Sequence, residues 1–184
     1  MRAETADDLM ADDATLRATF ARLLSEHGAG LARVARVYTR SPAEASDLAQ
    51  DIAVAIWTSL PNFRAECSER TFVYRIAHNR GITHAEGRRA RDRATPVVAE
   101  PPEVADSRPS LEEALDAARR REALFRALGE LPVGTRAVLT LALEGLSHQE
   151  VAEVLGTTAN SVAVRLSRAR AELREKLTKT EEER

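Results

Sequence analysis

Leu146-Ser147-His148-Gln149-Glu150-Val151-Ala152-Glu153-Val154-Leu155-Gly156-Thr157-Thr158-Ala159-Asn160-Ser161-Val162-Ala163-Val164-Arg165-Leu166-Ser167-Arg168-Ala169-Arg170 reads as two helices joined by a tight turn. Ser147 and Glu150 stand at capping-box spacing, so each side chain can satisfy a backbone donor of the other. Gly156 stops the first helix, because glycine enters the left-handed region at little cost. Thr158 is placed to cap the second helix. There Val162, Leu166, Ala169, Leu173 and Leu177 recur every three or four residues and form one apolar stripe. Arg165 and Arg168 lie opposite it. From Ala159 to Leu177, Arg165, Arg168, Arg170, Arg174 and Lys176 outweigh Glu172 and Glu175 for a net of +3. A basic second helix after a tight turn is the pattern of a helix-turn-helix that enters the DNA major groove. The helix implied by Val138, Leu139, Leu141 and Leu143, after Leu131-Pro132, supplies a third element behind the pair.

The rest of the chain bounds what such a domain belongs to. The 184 residues are 43% hydrophobic and only 4% aromatic, with 8 Gly and 7 Pro. This composition, without alternating β-branched runs, predicts an all-α protein. No apolar run approaches membrane-spanning length and the acidic N-terminus is not a signal peptide, so a cytoplasmic protein is expected. Cys67 is the one cysteine and cannot form an internal disulfide. The net charge of −2 conceals separate blocks. From Arg64 to Arg93 eight arginines face four acids, a net of +4, whereas the first sixty residues are acidic.

Residues 1–13 are polar and acidic and are expected to be disordered. Helices are expected over 14–27 and 29–40, which leaves Gly28 between them. Ser41-Pro42-Ala43-Glu44 is a strong start for a helix running to Leu60, striped by Leu48, Ile52, Ile56 and Leu60. Trp57 reads as core. A fourth helix is expected over 69–88, buried through Phe72, Val73, Ile76 and Ala77. His78 and His84 on it are not spaced for a metal on one helix face. The Pro-rich acidic stretch 94–109 reads as a flexible linker, and Ser110-Leu111-Glu112-Glu113 as another capping box. The domains are therefore 14–93 and 110–178, two small helical units expected to move separately.

Two upstream segments, Asp47–Trp57 and Phe63–Arg80, resemble the second conserved region of bacterial RNA polymerase sigma factors of the extracytoplasmic function (ECF) type. The C-terminal helix-turn-helix resembles their fourth region, down to the run Val162-x-x-Arg165-Leu166-x-Arg168-Ala169-Arg170. The resemblance spans nearly the whole chain except its ends and linker. It implies a transcription initiation factor, without catalytic residues, cofactor or metal. Its partners would be promoter DNA and core RNA polymerase, through the clamp helices of the largest subunit and the flap. Many members are also held by an anti-sigma protein. Asp47, Gln50 and Asp51 match the core-docking motif, and i, i+3, i+4 spacing sets them on one face. Asn62, Phe63 and Arg64 match the loop that captures a base turned out of the minus-ten element. Thr71, Tyr74, Arg75, Asn79 and Arg80 are the candidates along the following helix, where melted DNA needs charge and stacking planes. Thr158, Asn160, Ser161, Arg165 and Arg168 would face the minus-thirty-five element. The chain departs from many relatives at Phe72, where they have Trp, and at Ala163, where they have Lys. An autonomous helix-turn-helix regulator is the competing reading; it would need a sensor or dimerisation domain that the docking motif displaces. A metal nuclease built on Asp47 and Asp51 lacks the further ligands of a two-metal site.

Overall fold

A computed structural model describes residues 6–94, 124–125 and 127–182. All regular elements among them are helical: α1 (Ala6–Tyr38), α2 (Pro42–Ser59), a 3-10 turn (Leu60–Asn62), α3 (Glu69–Ala94), α4 (Val133–Leu143), α5 (His148–Leu155) and α6 (Ala159–Glu182). The linker expected at 94–109, apart from Ala94, and the capping box at Ser110 lie outside the described residues.

The N-terminal unit packs α1, α2 and α3 against one another. Ser41 caps α2, its Oγ accepting from the Glu44 amide at 3.2 Å, and Pro42 follows at the first position, where a missing N–H costs nothing. The stripe then turns inward: Leu48, Ile52, Ala55 and Ile56 are buried, and Leu48, Ile52 and Ile56 share one core with Leu23, Val34 and Tyr38 of α1 and Val73 and Ala77 of α3. Trp57 is half-buried and meets Phe20 edge to face, centroids 5.3 Å apart. Two expectations are corrected here. Part of the segment expected to be disordered is helical from Ala6, and the break at Gly28 is absent although Gly30 follows it, so α1 is one helix of 33 residues. Glycine lowers helix stability by only about 1 kcal/mol. Packing on both sides of the pair, through Leu23 and Leu31, outweighs it.

The C-terminal unit is built from α4, α5 and α6. Ser147 and Glu150 form the full capping box and Gly156 adopts φ 63° at the end of α5. Thr158 Oγ1 accepts from the Ser161 amide at 3.2 Å, which starts α6. Val151, Ala152 and Val154 of α5 close over Val162, Leu166 and Ala169 of α6, with Ala137, Val138 and Leu141 of α4 behind them.

The two units touch. α3 packs on α5, and α1 and α3 both reach α4. The apolar core accordingly continues from one unit into the other.

Candidate functional site

Three surfaces carry the residues singled out from the sequence. The first is α2. Asp47, Gln50 and Asp51 are all exposed, opposite the buried stripe of the same helix. Val54 extends this face by one turn and is 62% exposed, one of three exposed large hydrophobic residues among those described. The face therefore offers two carboxylates, an amide and an apolar knob in about two turns of helix. Carboxylates on a rigid helix suit arginines of a partner, to which they can bond bidentately.

The second surface follows it. Asn62 and Arg64 are exposed on the loop between α2 and α3. Phe63 is half-buried, its ring 4.6 Å from that of Phe72. Ala65, next on this loop, holds φ at 56°, a left-handed conformation that a residue with a Cβ rarely keeps. Asn79 and Arg80 are exposed on α3, and Arg75 is half-buried with its Nε buried and lacking a hydrogen-bond partner. Two candidates are turned away. Thr71 is fully buried because it belongs to the start of α3: its amide donates to Ser68 Oγ at 3.0 Å and its hydroxyl accepts from the same oxygen at 2.9 Å. Tyr74 is 3% exposed because it sits between α1 and the end of α4, its hydroxyl lying beside Gly30 and 3.4 Å from Glu144 Oε2 and its ring meeting His27 edge to face. Burial, reinforced by the Glu144 charge, pushes the Tyr74 hydroxyl up to about 12. His78 is a packing residue, its Nδ1 3.0 Å from the Tyr38 hydroxyl, and burial lowers its pKa.

The third surface is the outer side of α6. Thr158, Asn160, Arg165 and Arg168 are exposed and Ser161 is half-buried beside the Thr158 hydroxyl, 3.0 Å away. This is the N-terminal half of the helix, where backbone donors and the helix dipole already favour anions. Val164 stands among these residues and was not among the candidates read from the sequence.

Between the two units lies a polar cluster that no local pattern announces. Glu144 ends α4 with its side chain only 7% exposed. Arg33 of α1 grips it with two bonds, Nε to Oε1 at 2.7 Å and Nη2 to Oε2 at 2.8 Å. Arg70 donates to the Glu144 carbonyl at 2.6 Å. A Cβ on Gly30 would collide with the Tyr74 hydroxyl and lie 2.6 Å from Glu144 Oε2, so only glycine admits this approach. Nearby, the Arg136 guanidinium sits 5.5 Å from the centroid of the Tyr38 ring. Among the described residues, no group of His, Cys, Asp and Glu could hold a metal, and no helix is long and apolar enough to cross a membrane.

Comparison with known proteins adds to this geometry. The family model "Sigma-70 region 2" matches residues 23–91, and "Sigma-70, region 4" matches residues 121–173. The RNA polymerase sigma factor CnrH of Cupriavidus metallidurans is 31% identical over 181 residues, 94% of this chain and 95% of that protein. The ECF RNA polymerase sigma factor SigM of Mycobacterium tuberculosis is 31% identical, over 85% of this chain and 76% of its own length. Among solved structures, CnrH in complex with the cytosolic domain of CnrY is similar with a TM-score of 0.63 at 29% identity, covering 88% of this chain and 89% of that one. The sigma factor RpoE of Bartonella quintana, in complex with the anti-sigma factor NepR, shares the fold with a TM-score of 0.70 at 22% identity, covering 87% and 97%.

Proposed function

Because the chain belongs to the sigma-70 family of RNA polymerase sigma factors, in its ECF group, we propose that the α2 face of Asp47, Gln50 and Asp51 docks on core polymerase and that the outer side of α6 reads the upstream promoter element. The protein directs RNA polymerase to promoters. Phosphodiester chemistry belongs to the polymerase, and this chain supplies recognition. The docking surface on the enzyme is the pair of clamp helices of its largest subunit, with the flap receiving the C-terminal unit.

The observation that carries the docking assignment is the division of α2 into two faces. Leu48, Ile52, Ala55 and Ile56 are consumed by the core, while Asp47, Gln50, Asp51 and Val54 are left outward. The exposed valine beside the carboxylates gives a partner helix an apolar point of contact as well as charge. For the minus-ten element the exposed track is Asn62, Arg64, Asn79 and Arg80, with Phe63 and Arg75 at its margin. Tyr74 can join it only where Glu144 has withdrawn. On α6, Arg165 and Arg168 are suited to guanine edges or phosphates, with Thr158, Asn160 and Ser161 at the helix start. RpoE of Bartonella quintana is bound by the anti-sigma factor NepR, and an anti-sigma factor completes the set of partners proposed here.

The test is the double variant Asp47→Arg, Asp51→Arg. Both positions are exposed, so helical content should be unchanged. Association with core polymerase should fall by more than tenfold, through the loss of two favourable charge contacts and the addition of two repulsive ones. Wild-type affinity of the folded variant for core would remove the docking assignment.

A further inference from the structure

Successive residues of an α-helix advance by about 100°. On α6 the buried stripe of Val162, Leu166 and Ala169 therefore has Val164 on the opposite side of the helix. Val164 is 45% exposed. Asn160 and Ser161 precede it by four and three residues, Arg165 adjoins it and Arg168 follows one turn later, so it stands in the middle of the proposed DNA-reading surface. No carboxylate occurs between Ala159 and Arg170, so nothing on this part of the helix would repel a phosphate backbone. A β-branched residue is a poor choice for an exposed helical position, where its stiff side chain lowers helix propensity and its methyl groups stay in water.

The DNA major groove presents hydrogen-bonding groups at every base pair and one apolar group, the C5-methyl of thymine. An exposed valine beside Arg165 and Arg168 has one complementary feature there. Given the reading of α6 as the promoter-facing helix, on which this rests, we propose that Val164 contacts a thymine methyl group in the upstream promoter element and sets a preference for thymine at one position. Arg165 and Arg168, both C-terminal to it, hold the helix in register on guanine edges or phosphates.

The experiment uses the full chain assembled with core polymerase. Promoter DNA is selected by this holoenzyme from a pool randomised in the upstream element. Each thymine of the selected element is then replaced singly by deoxyuridine, which removes the methyl group and leaves the hydrogen-bonding edge intact. At one position the replacement should weaken wild-type binding by about threefold to fivefold, the value of one buried methyl group. The Val164→Ala holoenzyme, with a shorter apolar side chain, should discriminate less between the thymine and deoxyuridine promoters. Alanine is a better helix former and the site is exposed, so the variant folds. The inference is overturned if the selected element has no thymine, if no replacement affects the wild type, or if Val164→Ala keeps the same discrimination. Arg165→Ala and Arg168→Ala are measured in parallel. If both leave promoter binding unchanged, the DNA-reading role of α6 falls and Val164 with it. If they weaken binding while the methyl group is irrelevant, only the Val164 assignment falls.

Discussion

Ser147 Oγ accepts from the Glu150 amide at 3.2 Å while Glu150 Oε2 accepts from the Ser147 amide at 2.8 Å. The second bond, followed by the Ser147 hydroxyl and the nearby Arg70 charge, holds the Glu150 carboxyl below the usual carboxylate range. A carboxyl whose folded pKa is depressed contributes stability above its unfolded value, about 4.3, and loses that contribution as pH falls through the folded value. Ser147→Ala should therefore cost about 0.5–2 kcal/mol at neutral pH. Glu150→Gln keeps an acceptor but loses the charge. Its deficit in melting temperature against the wild type should be present at pH 5 and shrink toward pH 3. A deficit constant over that range would detach the charge from the cap. Such residues are legible in sequence because donor and acceptor stand three positions apart. Tyr74 is the opposite case. Its aromatic ring and its position in a basic segment marked it for melted DNA, yet its hydroxyl meets Glu144, 70 positions away. Nothing local to either residue encodes that contact.

Helices α2 and α6 are legible for a reason of period: one face is consumed by the core, and the other is left exposed. The continuity of α1 was not, since Gly28, three turns from its end, suggests a break. What decides there is space rather than propensity. Gly28 has nothing within 4 Å of a would-be Cβ, whereas Gly30 admits Tyr74 and Glu144. The same distinction predicts opposite outcomes on α3. A Cβ on Gly81 would meet the Tyr38 ring, with Cγ at 2.7 Å and Cε2 at 2.8 Å. That ring is 1% exposed and tied to His78, so it cannot yield. Gly81→Ala gains about 1 kcal/mol of helix propensity and loses about 1–3 kcal/mol to overpacking, a net destabilisation. Gly87→Ala meets nothing within 4 Å and should stabilise the protein by about 0.5–1 kcal/mol. Denaturant midpoints of the two variants check the pair; a shift in the same direction would mean that α3 does not pack on Tyr38 as described. On α6, Arg165→Ala should cost about 1–3 kcal/mol of holoenzyme binding and relax one promoter position if Arg165 reads a base. If it meets a phosphate, all promoters should weaken together and the salt dependence should flatten. Binding to a promoter panel at several salt concentrations separates these outcomes, and no effect at all would exclude the contact.

At the scale of the molecule, the sequence suggests two units on a tether, while the structure has them in contact through charges. Arg33 and Glu144 are 111 positions apart and make two short bonds. Their environments differ: the Arg33 side chain is 53% exposed and that of Glu144 only 7%. Removal of the two partners is therefore not equivalent. Without Glu144, Arg33 returns to water at little cost. Without Arg33, a nearly buried carboxylate keeps the weak Tyr74 contact and the Arg70 cation on its own carbonyl but loses both of its short bonds, and stranding it in this way costs more than the pair itself is worth. The carboxylate can regain water only if α4 lifts from α1 and α3, which would uncover Tyr74. The protein has two tyrosines, and both are buried, Tyr38 at 1% and Tyr74 at 3% exposure. Nitration mapped by mass spectrometry therefore reports the separation directly. Arg33→Ala should make Tyr74 reactive and enlarge the radius of gyration, with helical content unchanged. Glu144→Ala should do so less. The double variant should resemble Glu144→Ala rather than the sum of the two, because the stranded charge is gone. If Tyr74 stays protected in Arg33→Ala, the units are held by apolar contact and by Arg136 on Tyr38, and the ion pair is a passenger. If the effects of the two single changes simply add, Glu144 carries no buried charge that needs Arg33.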